Sequence, residues 1–304
     1  MDDGRTIVWW SAGVASSVAA KVALAHDANA IVAYCDTSST EHPDNERFLI
    51  DCQRWYGKEI MRLRSSVFLD TWDVYERTRW LVGVNGARCT TELKKNVRRA
   101  FQRADDVQAF GFTADEPRRA ERFRAHNPEC NAWFPLIERG LKHADCEALL
   151  REMGIELPAM YRLGYRNNNC IGCVKGGAGY WNKIRTDFPE VFARMAKLER
   201  ALDVAILKRQ VRKKRVRVFL DQLDPSSGDY AAEPAIECGL ACGTTLAEID
   251  ATPIEPQPTD RDRLRRLAAA VRAYASRRGL SGDWETWDAL RAELEAVERE
   301  VERE

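Results

Sequence analysis

Thr6-Ile-Val-Trp-Trp10-Ser11-Ala-Gly-Val-Ala-Ser16-Ser17 is the stretch that decides the fold. Five residues that are mostly β-branched or aromatic suit a buried strand. They stop at a run of small residues, and an alanine-rich helical pattern follows over 15–25. Small side chains at a strand-to-helix turn let the backbone approach an anion closely. The first helical turn then offers unpaired N–H groups and the positive end of the helix dipole. Hydroxyls of Ser11, Ser16 and Ser17 add hydrogen-bond donors, and Ala12 and Gly13 supply the small surface. No Gly-Lys-Ser/Thr follows, so this is not the Walker pattern.

The same alternation continues outward from this turn. Residues 30–35, 58–63, 107–110 and 133–135 read as strands, and 44–56, 68–80, 91–103 and 116–124 as helices. Strands and helices at this spacing predict right-handed βαβ units. The expected fold class is α/β: a doubly wound, mainly parallel, Rossmann-like sheet over residues 1–135. Ligands of such sheets bind at the carboxyl ends of the strands. A helical, irregular region bearing cysteines is expected over 136–258. It holds helices at 145–153, 158–161, 180–185 and 189–202, a basic segment, and a loop-like tract over 225–258. A helical extension is expected over 259–304.

The chain has 304 residues, with 47 Lys+Arg balancing 47 Asp+Glu, so any nucleic-acid contact must come from a local patch. Apolar content of 45% and charge of 31% fit a globular chain rather than a disordered one. Neither a membrane-spanning run nor a secretion signal is read, so the expected location is cytoplasmic, with no membrane partner. Nine cysteines, an odd number without a signal, argue against a disulfide scaffold. Cys35, Cys52, Cys130 and Cys146 read as small hydrophobes. Trp9, Trp10, Trp55, Trp72 and Trp80 read as core or pocket wall.

Cys170-Ile-Gly-Cys173 is a Cys-x-x-Cys knuckle, a spacing that turns two sulfurs toward one metal or cluster edge. Cys89, Cys238 and Cys242 are the candidates to complete a four-thiolate set. Thiolates select zinc or iron–sulfur, and spacing does not separate the two. Residues 208–217 carry seven Lys or Arg between Lys208 and Arg217. They read either as a solvated surface or as a patch for a nucleic-acid backbone.

Four segments in order carry a resemblance. Ser11-Ala-Gly-Val-Ala-Ser16 resembles the Ser-Gly-Gly-x-Asp-Ser pyrophosphate loop of the PP-loop adenine-nucleotide α-hydrolases. Asp36-Thr37-Ser38-Ser-Thr-Glu-His-Pro-Asp44 is similar to their Asp-Thr-Gly-x-x-x-Pro-Glu/Asp loop. Arg88-Cys89-Thr-Thr-Glu-Leu-Lys94-Lys95 resembles a Cys-Thr-x-x-Leu-Lys segment. Gly111-Phe-Thr-Ala-Asp-Glu116-Pro-Arg118-Arg119 resembles Gly-x-x-x-x-Glu-x-x-Arg. The branch resembled holds phosphoadenylyl-sulfate (PAPS) reductases, ATP pyrophosphatases of DNA phosphorothioation and related phage proteins. Ala12 stands where the family has Gly. Ala15 stands where its ATP-splitting members have Asp, a residue the reductases also lack.

The resemblance implies an adenine nucleotide, ATP or adenylyl sulfate (APS)/PAPS, held with Mg²⁺ by Ser11, Ala12, Gly13, Ser16, Ser17, Asp36, Thr37, Ser38, Gly111, Glu116 and Arg118. It implies Lys94 and Arg119 as catalytic cations and a [4Fe-4S] cluster on the clustered cysteines, with zinc as the alternative. Glu237-Cys238-Gly-Leu240 is similar to the reductases' Glu-Cys-Gly-Leu-His motif, with Ala241 in place of His. That makes Cys238 a candidate catalytic nucleophile. Three functions are expected in turn: cleavage of ATP to AMP and pyrophosphate, activating an acceptor such as nucleic acid for sulfur transfer from a donor; reduction of APS or PAPS to sulfite with thioredoxin as partner; and a non-catalytic nucleotide-binding module with structural zinc. Oligomeric state stays open.

Overall fold

The computed structural model describes residues 4–236, apart from 84–85 and 212–213. In chain order these form β1 (Thr6–Trp10), α1 (Val14–His26), β2 (Ile31–Cys35), α2 (Asn45–Tyr56), β3 (Met61–Leu63), α3 (Thr71–Thr78), β4 (Val82–Gly83) and β5 (Gly86–Ala87). Then come α4 (Arg88–Thr90), a π-helical turn (Thr91–Lys95), α5 (Asn96–Phe101), β6 (Val107–Phe110), α6 (Pro117–His126) and β7 (Asn131–Trp133). The chain continues through α7 (Pro135–Glu138), α8 (His143–Glu152), α9 (Ala159–Arg162), α10 (Ala178–Asp187) and α11 (Pro189–Leu202), and closes on the hairpin β8 (Leu207–Val211) and β9 (Lys214–Val218).

The central sheet has the order β3-β2-β1-β6-β7, and every pairing in it is parallel. Each central strand buries both faces by strict alternation. Val8 and Trp10 of β1, with Val32 and Tyr34 of β2, pack with Val18, Phe48 and Leu150 from α1, α2 and α8. Ile7 and Trp9, with Ala33 and Cys35, pack on the opposite face with Val97 and Phe123 from α5 and α6. This is the expected α/β architecture, a five-stranded parallel sheet covered by helices on both sides. The chain reverses its strand order between β1 and β6, so a crevice opens at their carboxyl ends.

The region beyond residue 135 is not detached from this core. Leu136, Cys146 and Leu150 are buried against α1, and the described residues group as one compact unit. A separate cluster, built on Trp72, Tyr75, Trp181 and Met195, joins α3 to α10 and α11. Several expected elements shift. The last sheet strand lies at Asn131–Trp133 rather than 133–135, because Pro135 opens α7 and cannot serve in a ladder. The helix expected over 91–103 begins at Arg88 and passes through a π turn. The basic segment is an antiparallel hairpin. Trp80 is 43% exposed, against the expectation of a core or pocket-wall residue. Among the described residues no helix is long and apolar enough to cross a membrane. The expected helices beyond 258, with Cys238 and Cys242, lie outside the described residues.

Candidate functional site

The turn after β1 is held by its own hydroxyls. The Ser11 backbone N–H and Oγ both donate to Ser16 Oγ at 3.0 Å, and Ser16 Oγ donates to the Gly13 carbonyl at 2.9 Å. Ala12 is fully buried with φ of 56°, in the left-handed region that L-residues disfavour. Gly13 sits at the N-cap of α1, offers no capping side chain, and no acidic residue occupies the first turn. The positive end of α1 therefore faces a cavity rather than a carboxylate.

That cavity has a volume of about 360 Å³ and lies at the carboxyl ends of β1, β2 and β6. Ser11, Gly13, Ala15 and Ser16 form its floor. Gly111, just after β6, forms a wall by necessity. A Cβ there would stand 2.6 Å from Ser16 Cα and 2.7 Å from Ser16 N, so only glycine lets this strand end meet α1. Three cationic side chains line the cavity, Lys94 from the π turn, Arg119 from α6 and Arg166 from the segment after α9. The Arg119 guanidinium lies 4.6 Å over the Phe112 ring and pairs with Glu116 Oε1. Glu116 Oε2 accepts the Thr113 N–H at 3.1 Å.

Other expected binding residues sit elsewhere. Ser17 is fully buried and points into the core, where its hydroxyl accepts from Trp10 Nε1 and donates to the Gly13 carbonyl, both at 2.9 Å. Arg118 is exposed and outside the cavity lining. Asp36 accepts the Ser38 N–H at 3.0 Å and pairs with Arg64 at 2.8 Å. Burial alone would raise its pKa, but the bonds from Ser38 and Arg64 outweigh this and hold the carboxyl below the usual carboxylate range. Thr37 donates to the buried Glu41, which also accepts from Tyr34 and from Asn45. Residues 36–38 thus build the turn after β2, while Tyr34 and Cys35 reach the cavity.

Side chains from the region after the sheet complete the site. Tyr161 lines the cavity, its oxygen faced by the backbone N–H groups of Val14 and Asn168, and burial pushes its hydroxyl up to about 12. Asn168 Nδ2 donates to the Ala12 carbonyl and to Asn45 Oδ1, both at 2.7 Å. Asn167 and Asn169 both donate to the Ile236 carbonyl, at 2.9 and 3.1 Å, and Arg166 to the carbonyls of Ala231 and Glu233. This strap brings Ala235 and Ile236 to the cavity rim. Sequence reading missed Tyr161 and the asparagines; their one signal was the polar run Arg166-Asn-Asn-Asn169 ahead of the knuckle.

Cys89, Cys170 and Cys173 gather near one tyrosine. Tyr75 donates to Cys89 Sγ at 3.2 Å, and burial, then Cys89, Cys173 and Cys170, push its hydroxyl well above its ordinary range. Gly172, with φ of 74°, turns the knuckle. Thr40 donates to Cys170 Sγ at 3.4 Å, tying the knuckle to the turn after β2. Cys35, Cys52, Cys130 and Cys146 are buried, as small hydrophobes should be. Among the described residues, no group of three or more His, Cys, Asp or Glu stands close enough to hold a metal ion. Cys238 and Cys242, the other expected ligands, lie outside the described residues, and no chemistry below depends on a cluster or a zinc ion. No family model matches the chain, and no curated protein matches it.

Proposed function

We propose that this protein binds an adenine nucleotide by its phosphate chain on the turn after β1 and splits the α–β phosphoanhydride. The observation that carries this reading is the open N-terminus of α1 facing a cavity that also holds Lys94 and Arg119. The resemblance of residues 11–16, 36–44, 88–95 and 111–119 to the PP-loop superfamily supports adenine as the base. The bond between the α-phosphorus and the α–β bridging oxygen breaks, and pyrophosphate leaves with the electron pair. An acceptor, or water, bonds to the α-phosphorus, giving an adenylate or AMP.

The residues act by position and charge. First-turn N–H groups of α1 hold phosphate oxygens, and the Ser11 and Ser16 hydroxyls join them by turning away from Ser16 Oγ and the Gly13 carbonyl. Arg119, released from Glu116, clamps them, and Lys94 neutralises the departing pyrophosphate. With Arg119 released, Glu116 Oε2 still accepts the Thr113 N–H at 3.1 Å and Asp115 Oδ2 the His143 N–H at 3.0 Å. Mg²⁺ enters with the nucleotide as part of the substrate.

Incubation with MgATP tests the reading: AMP and pyrophosphate should form in equal amounts. Arg119→Ala should weaken nucleotide binding at least about tenfold, the worth of one charged hydrogen bond. Tight ATP binding without turnover would reduce the reading to a non-catalytic module. One observation favours a second reading, APS or PAPS reduction by Cys238. The residues leading to it, Ala235 and Ile236, line the cavity. Release of sulfite from either sulfonucleotide, lost in Cys238→Ser, would establish that reading over the first.

A further inference from the structure

The basic hairpin has a role that the nucleotide cavity does not absorb. Leu207 and Val218 pair at its base and are anchored in the core cluster of α3, α10 and α11. Cross-strand partners share a face, so Lys208 and Arg217 project together, with Arg209 and Lys214 on the opposite face. All four are exposed. Among the described residues only Arg217 has an ion pair, at 3.7 Å to the largely exposed carboxylate of Asp203. The chain as a whole is neutral, so this is a local field rather than a global one.

Lys208 and Arg217 line a groove of about 420 Å³ whose other wall is Val82 and Gly83 of β4, with residues 203–206, Asp203 among them, between the two. Gly83 forms part of that wall, and a Cβ on it would meet the Trp80 ring at 2.6 Å. The exposed indole of Trp80 therefore packs against Gly83, beside the groove rather than in its lining. A concave track with two cations and an exposed aromatic ring next to it has the two parts that single-stranded nucleic acid needs. Backbone phosphates meet the cations, and an unstacked base meets the indole. A duplex hides its base faces, and a membrane surface favours a convex apolar patch over a groove.

We propose that the groove between β4 and the β8–β9 hairpin binds single-stranded nucleic acid, with phosphates on Lys208 and Arg217 and a base stacked on Trp80 beside it. The proposal does not require the nucleotide reading. Binding is measured with no adenine nucleotide present, so either can fail alone.

The test is fluorescence anisotropy of a labelled oligo-dT with the full chain over a salt series. Two phosphate contacts predict a log–log salt slope of about −1.4 for a single strand. Lys208→Gln/Arg217→Gln should flatten it to near zero. Trp80→Ala should weaken binding about tenfold, and Trp80→Phe should restore most of it, since a phenyl face still stacks. All the replaced side chains are exposed, and circular dichroism melts confirm that each variant folds. Equal binding by wild type and the charge variant, indifference to Trp80→Ala, preference for the duplex, or capture by phosphatidylserine vesicles without oligo-dT binding would each overturn the proposal.

Discussion

Asn168 holds the carbonyl of Ala12, 156 positions earlier in the chain, at 2.7 Å. The same amide nitrogen also donates to Asn45, so both of its protons are used. Asn45 donates in turn to Glu41, which takes two further hydrogen bonds, from Tyr34 and Thr37. A buried polar chain thus runs from the phosphate turn to the turn after β2. The Asn168 oxygen has no hydrogen-bond partner among the described residues. Replacing Asn168 by Ala leaves the Ala12 carbonyl buried and unpaired, a loss of about 1–3 kcal/mol. Asn168→Asp also places a negative charge beside the helix N-terminus. Urea unfolding should therefore show a loss for both variants, and titration with pyrophosphate a larger affinity loss for Asn168→Asp.

The positive φ of Ala12 sets up a second, opposite expectation. In the left-handed region an alanine carries about 1–2 kcal/mol of strain that glycine lacks. Glycine loses the buried methyl and gains unfolded-state freedom, each worth roughly 0.5–1 kcal/mol. These nearly cancel, so Ala12→Gly should change stability by less than about 1 kcal/mol. Ala20→Gly, equally buried but inside α1, has no strain to relieve and should lose about 2 kcal/mol. Equal losses in the two melts would contradict the strained geometry.

Gly111 should behave as a wedge point. Alanine there drives a methyl into the backbone of Ser16, and backbone yields less easily than a side chain. The loss should be on the order of 3 kcal/mol, at the upper end for overpacking. Because the collision pushes β6 away from α1, pyrophosphate affinity should fall in step. A Gly111→Ala chain with native melting and native anion binding would refute the close approach.

The sheet was readable because its signals are local. Ile7, Val8, Trp9 and Trp10 alternate between two buried faces, and the small residues after them mark a turn without reference to any partner. The boundary near β7 slipped because Trp133-Phe134-Pro135 looks like a strand until the proline starts a helix. The π turn that delivers Lys94 has no pattern distinct from an ordinary helix. Half of the site was illegible for a different reason. Tyr161 and Asn168 reach the cavity from a segment with neither strong periodicity nor a turn signature, and only the tertiary fold brings them to Ala12. Ser17 shows the converse failure: it neighbours Ser16 in sequence, yet the helix turns it inward to Trp10.

Thiol reactivity should sort the cysteines by environment. Burial pushes the thiols of Cys35 and Cys146 up to about 12, and of Cys52 and Cys130 up to about 11. Near neutral pH a thiol at 12 holds roughly a thousandfold less thiolate than a free cysteine. Cys170 is the one described cysteine that is not fully buried. Brief native alkylation with iodoacetamide, mapped by mass spectrometry, should modify Cys170 before the other described cysteines. Early labelling of Cys35, which lines the cavity, would contradict its burial.

Glu199 should give the fold a recognisable pH signature. It is fully buried at the end of α11, where its two oxygens accept the N–H groups of Ile206 and Leu220, both at 2.6 Å. Those bonds favour the carboxylate, but desolvation is the larger effect and raises the pKa from 4.5 to about 6. The folded chain therefore holds a proton that the unfolded chain has released between these two values. Stability contributed by this group is full below about pH 4.5 and falls as pH rises through 6. The displacement is worth about 2 kcal/mol at about 1.4 kcal/mol per pH unit. Asp44 runs the other way: Arg47 holds its carboxyl near 2, so its contribution is lost only as pH falls below about 4. Urea midpoints measured from pH 4.5 to 7 should decline with rising pH, and Glu199→Gln, which does not titrate, should flatten that decline. A slope unchanged by Glu199→Gln would assign the decline to another group.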